Sequence, residues 1–278
     1  MTSYSPIFHD AKVSPTSLEA MFPDYSSFLI EPLHNFFGGA PLEMFEVFRE
    51  GGRARAANVV KGEDQYYVME LALSNPQSGE SHLHFDRARY RLLRLKSLKQ
   101  LGKHYPETFF LRTDGPWTED GPQQLLIVLQ EFISYPVCKF TDYEAVLELL
   151  RILKLSASFG MLLDYNQNHW LYKKANEHLG HLYYVDKDYV DDGRPFESAV
   201  RVGFDQSTMF LTLQNALFYA RALTQLAKEK SECALEFTKI IRDQIEQNVD
   251  SLRSRKQTRI VQNRIKSLEL ILDQLPSG

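Results

Sequence analysis

Cysteine is scarce: Cys138 and Cys233 are the only two in 278 residues. At most one disulfide can form, and the count fits a reducing compartment. Cys138 has no redox or nucleophile motif around it. Long apolar runs are missing too; stretches such as Leu125 to Leu129 are far too short to cross a bilayer. Basic residues are not in excess. Lys and Arg number 32 against 36 Asp and Glu, giving a net charge of −4 and a pI near 6.1. That balance gives no electrostatic case for nucleic acid or an anionic membrane as partner. Met1 to Pro15 lacks a basic region followed by an apolar run, so no secretory leader is expected and a cytoplasmic location is. No collagen, heptad or solenoid repeat is visible. Ser156 and Ser158 lack a G-x-S-x-G context, which argues against a serine hydrolase. The pairs His82/His84 and His178/His181 lack a third ligand at a recognisable interval, and read as loop and helix-entry histidines. What is present is ordinary globular composition: 44% apolar and 24% charged residues, with 14 Tyr and 18 Phe to fill cores.

Along the chain, residues 1–40 are rich in Pro, Ser and Phe and read as an arm packed over the main domain, with a short helix near Leu18–Met21. Alternation then predicts a meander of three strands: Met44–Phe48, Ala56–Val60 and Tyr66–Leu73. A helix is expected from Phe85 to Leu101, with Phe85, Ala88, Leu92, Leu95 and Leu98 on one stripe. Thr108–Leu111 and Leu125–Phe132 read as two more strands, split by a polar loop containing Gly115-Pro116 and Gly121-Pro122. Asp142 is a candidate N-cap for a helix running towards Gly160. Two short strands follow, near His169–Tyr172 and Leu182–Val185. Helices are expected over Ser207–Lys228, Glu232–Asp250 and Gln257–Leu275.

This order resembles the protein-kinase-like fold, including its aminoglycoside-phosphotransferase-type relatives, over roughly residues 42 to 190. The resemblance implies an α+β, two-lobed chain: an arm over 1–40, a five-stranded antiparallel N-lobe with one helix over 41–133, and a helical C-lobe over 134–278. It implies ATP and Mg2+ as cofactors. The turn Gly51-Gly52-Arg53-Ala54-Arg55 is similar to a phosphate-covering loop, though its glycines are adjacent rather than spaced; it also reads as a plain hairpin turn. Glu70 stands where the third-strand lysine of kinases would be, and Arg87, Arg89 and Arg91 where the helix glutamate would be, so the signs are exchanged. Lys61, Arg53 or Arg55 would have to supply the phosphate cation. Gln130 to Ile133, including Glu131 and Ile133, resembles the adenine-binding hinge.

The chemistry rests on two further stretches. Asp164 to Asn168 resembles the catalytic loop, with Asp164 as base and Asn168 on the metal, but the interval is one residue short and Leu162 replaces the usual His. Asp164 and Asn166 would equally serve to cap a turn. Leu182 to Tyr189 resembles the strand that carries the metal-binding aspartate, giving Asp186 and Asp188 as carboxylate ligands. The implied function is an ATP-dependent phosphotransferase of unknown acceptor. Two alternatives stand beside it: a pseudokinase acting as a scaffold, and a helical protein-interaction module. The last helix carries Arg253, Arg255, Lys256, Arg259, Arg264 and Lys266, a basic face able to dock an acidic protein partner or lie solvated.

Overall fold

In the computed structural model of the chain, residues 11–49, 56–62, 65–74, 80–118, 121–133, 140–165, 169–175, 179–185, 190–191, 193–229 and 231–275 are described. They fall into two units, one of residues 1–94 and 106–136, the other of 95–105 and 137–278.

The first unit is built on a six-stranded antiparallel sheet with strand order β1-β2-β3-β4-β6-β5. Strands β2 (Glu43–Arg49), β3 (Ala56–Gly62) and β4 (Gln65–Ser74) form the expected meander. Helix α3 (Glu80–Ser97) then carries the chain onward, so that β4 pairs with β6 (Gly121–Glu131) and β5 (Thr108–Thr118) takes the edge. An ion pair from Arg112 on β5 to Asp86 on α3 ties the helix to that edge.

Two features differ from the sequence expectation. The sheet has six strands rather than five, because β1 (Ala11–Thr16) pairs antiparallel with β2 along the whole of its length. Its Pro15 has no N–H to donate, which only an edge strand tolerates. The polar loop expected after Leu111 is instead strand: β5 and β6 run on together through Arg112↔Leu126 and Asp114↔Gln124. Gly115-Pro116 marks a bulge between Asp114 and Trp117. A Cβ on Gly115 would lie 3.2 Å from the Gln123 carbonyl oxygen, which is why a small residue sits there.

Helices α1 (Leu18–Met21) and α2 (Ser26–Phe36) close one face of this sheet. Leu18, Leu29 and Leu33 bury against Met44, Val60, Tyr67, Met69, Leu125, Ile127 and Leu129. Phe36 meets Tyr67 and Phe109 edge to face at 5.8 and 4.8 Å.

The second unit is mainly helical. Its axis is α5 (Tyr143–Ser158), capped by Asp142, whose carboxylate accepts from the Glu144 amide. Nine of its residues are buried, and α4 (Lys99–Gly102), α6 (Phe196–Ser207) and α7 (Leu213–Ala227) pack on it. Helices α8 (Glu232–Arg253) and α9 (Arg259–Gln274) complete the helical set. Helix α6 had no counterpart in the sequence reading. Its inner face is Ala199, Val200, Gly203, Phe204 and Ser207, which keep helical spacing, but no side-chain cap opens the helix at Pro195 and Gly203 lowers its propensity.

Between α5 and α6 lie four short strands in two ladders. Strand β7 (Met161–Leu162) pairs with β10 (Val190–Asp191), and β8 (Trp170–Ala175) forms a hairpin with β9 (Leu179–Tyr184). The turn from α5 into β7 uses Gly160 at φ 69°, where a Cβ would also meet the Gly193 backbone at 3.0 Å.

Candidate functional site

The β7–β10 pairing encloses residues 163–189 and brings the ends of that stretch together. Asp164 lies just past β7 and is fixed through its backbone. Its amide donates to the Tyr184 hydroxyl at 3.0 Å, and its carbonyl accepts from Trp170 Nε1 at 2.9 Å. Its carboxylate Oδ2 lies 3.5 Å from His169 Nε2, and the side chain keeps 35% of its exposure. At the other end of the stretch, the Val185 amide donates to the His169 carbonyl at 2.9 Å. The chain leaving β9 therefore passes directly beside the chain entering β8.

A buried aromatic stack supports this arrangement. Trp170 lies between Tyr165, at 5.7 Å, and Tyr184, at 4.8 Å, and all three are fully enclosed. The Tyr165 hydroxyl is 2.6 Å from Ser156 Oγ on α5, and its amide donates to Gln206 Oε1 on α6. Burial raises the Tyr165 phenol well above its ordinary pKa, so it stays neutral and acts only as a hydrogen-bonding post.

A second anchor holds β9. His104 Nδ1 donates to the Leu182 carbonyl at 2.8 Å, and the Tyr184 amide donates to the His104 carbonyl at 2.8 Å. Burial pulls the His104 pKa down to about 4, against the opposing pull of the Leu182 carbonyl. The ring is thus neutral near pH 7, and its 3.4 Å approach to Glu148 is not an ion pair there. His181 stacks on His104 at 4.9 Å and donates Nε2–H to the Lys103 carbonyl, so this histidine serves the hairpin. Among the described residues no group of three or more His, Cys, Asp or Glu side chains is arranged to hold a metal.

The remaining expected site residues divide clearly. Gly51, Gly52, Arg53 and Arg55, expected as a phosphate-covering turn, lie outside the described residues, as do Asn168, Asp186 and Asp188. Lys61, near the end of β3, reaches Glu43 on the neighbouring strand at 3.0 Å and lies 5.8 Å over the Tyr66 ring. Glu70 is exposed on β4, on the side opposite buried Met69, across from Val128. Glu131 uses its amide on the Glu107 carbonyl at 2.7 Å, and its carboxylate accepts back from the Glu107 amide at 3.2 Å. The Phe132 amide is taken by the Tyr66 carbonyl. The segment expected as a hinge thus spends two of its backbone donors on the sheet, and Ile133 is buried.

Sequence reasoning passed over His169, Tyr184 and Gln206 as site residues. The one available signal was the five-residue spacing from Asp164 to His169, which a short turn can close.

No family model matches the chain, and no curated protein matches it. Among solved structures, the Legionella pneumophila Lpg2603 kinase bound to IP6 is similar at 11% identity, covering 84% of this chain and 92% of that chain, with a TM-score of 0.32. A likeness that slight decides neither fold nor chemistry.

Proposed function

We propose that this protein is a kinase-like, nucleotide-binding phosphotransferase, with an acceptor still to be identified. The observation that carries the reading is the convergence, within the helical unit, of Asp164 and the end of β9 through the Tyr184–Asp164 and Val185–His169 hydrogen bonds. In this reading Asp164 orients the acceptor hydroxyl and takes its proton, with His169 Nε2 beside the carboxylate. Asn168, Asp186 and Asp188 would hold Mg2+. Carboxylate and amide oxygens are the hard donors that ion prefers, and Asp186 follows directly on Val185. Bound Mg2+ would neutralise phosphate charge; the chain's own part is to place the acceptor and exclude competing geometries. The element order agrees with the reading: a three-strand meander, one helix, a strand pair, then a helical unit with a short hairpin.

One observation favours the alternative of a scaffold that binds nucleotide without turning it over. Lys61, the described candidate for the phosphate cation, is engaged by Glu43, and β4 offers a carboxylate at Glu70. Thermal unfolding of the full chain with ATP, GTP or neither, in Mg2+ or in chelator, tests the shared core of both. ATP is expected to raise the midpoint only when Mg2+ is present. An unchanged midpoint under every condition contradicts nucleotide binding.

A further inference from the structure

Four helices of the second unit bring two of their connections to one end. The Arg264 guanidinium on α9 donates to the carbonyls of Thr208 at 2.7 Å and Met209 at 2.9 Å, placing the first part of α9 beside the α6–α7 connection. At the opposite end Thr224 Oγ1 on α7 donates to the Gln274 carbonyl, so α7 and α9 run side by side in the same direction. Asp205 near the end of α6 accepts from Gln244 at 2.8 Å and Asn248 at 2.7 Å on α8, which aligns those two helices in turn. The α6–α7 and α8–α9 connections therefore share one end.

That end is apolar and basic together. Ile260 is 81% exposed, Phe210 52% and Met209 51%, with Leu213 also exposed one turn on. Arg255 and Lys256 stand in the α8–α9 connection and Arg259 opens α9, all exposed. Among the described residues none of these three cations forms an ion pair, whereas neighbouring Arg253 is paired with Asp250 and Glu269. Large apolar side chains gathered at one end beside cations are a feature of interaction surfaces. The chain's net charge of −4 conceals this local positive field.

We propose that this end docks on an anionic phospholipid surface. Phe210, Met209 and Ile260 enter the boundary between headgroups and acyl chains, while Arg255, Lys256 and Arg259 face the phosphates. The shape favours lipid over an acidic protein. The apolar groups project from two inter-helix connections and the first turns of α7 and α9, whereas a partner helix seeks a groove between elements. Projecting apolar tips flanked by cations suit a deformable, negatively charged layer. No described helix is long and apolar enough to cross a membrane. The inference is independent of the nucleotide reading.

The test is co-sedimentation of the full chain with vesicles of phosphatidylcholine alone or with phosphatidylserine added, at low and high salt. Binding is expected only to the anionic vesicles and is expected to weaken as salt rises. The triple substitution Arg255→Ala/Lys256→Ala/Arg259→Ala should weaken it on the order of 100-fold, roughly fivefold per cation. Phe210→Ser/Ile260→Ser should weaken it at least about tenfold. Thermal melts of both variants check that these exposed changes leave the fold intact, and the salt series on the unaltered chain needs no variant. Equal binding to neutral vesicles, no binding to either, or a self-association abolished by Phe210→Ser/Ile260→Ser would each overturn the proposal.

Discussion

Replacing Asp164 with alanine is expected to lower ATP turnover about 100- to 10,000-fold, the range lost when a positioned acid–base group is removed. ATP affinity should stay within a few-fold, because the acceptor side and not the nucleotide loses its partner. The fold should survive, since Tyr184 and Trp170 hold residue 164 through its amide and carbonyl, which alanine retains. Single-turnover kinetics with the unaltered and Asp164→Ala chains separate the two quantities. A variant that keeps full turnover shows that this carboxylate is a turn element. An unaltered chain that binds ATP and never hydrolyses or transfers it supports the scaffold reading.

The largest stability effect is expected at Gly203. In an exposed helix, Gly→Ala stabilises by about 0.5–1 kcal/mol. Here the sign reverses. A Cβ on Gly203 would collide with Leu153 Cδ1 and stand 3.0 Å from the Tyr165 ring. Leu153 is fully buried on α5, and the Tyr165 ring is held by Ser156 and Trp170, so a shift of either disturbs packed neighbours. Gly203→Ala should cost about 1–3 kcal/mol and Gly203→Val more, lowering the melting midpoint by about 2–4 °C for each kcal/mol. The same change disturbs the Tyr165 support beside Asp164, so ATP turnover should fall with it. A raised midpoint in Gly203→Ala would mean that α6 does not press on α5 at this point.

These two residues illustrate what could be read in advance. The Asp142 cap, the short helix at Leu18–Met21 and the meander were legible because local chemistry determines them: a side-chain acceptor before an apolar period, or alternation between turn residues. Strand β1 was not, because a segment holding Ser14 and Pro15 has weak strand character and is paired by β2, some thirty residues further on. Helix α6 keeps helical apolar spacing, but its start at Pro195 carries no side-chain cap and Gly203, which lets it approach α5, lowers its helix propensity. Asp164 stands out through the likeness of Asp164 to Asn168 to a catalytic loop, but its neighbours do not. Tyr184 arrives from β9, Gln206 from α6, and His169 from just before β8. Lys61 is a candidate phosphate cation in the sequence because no spacing announces Glu43 across the ladder.

Calorimetric titration of ATP into the full chain and into Asp186→Ala, each with Mg2+ and with chelator, tests the central claim most directly. The account predicts saturable binding by the unaltered chain that requires Mg2+, and a loss of that Mg2+-dependent component in Asp186→Ala while the melting midpoint without nucleotide is retained. Binding that is indifferent to both Mg2+ and the substitution, or no binding by the unaltered chain, would contradict it.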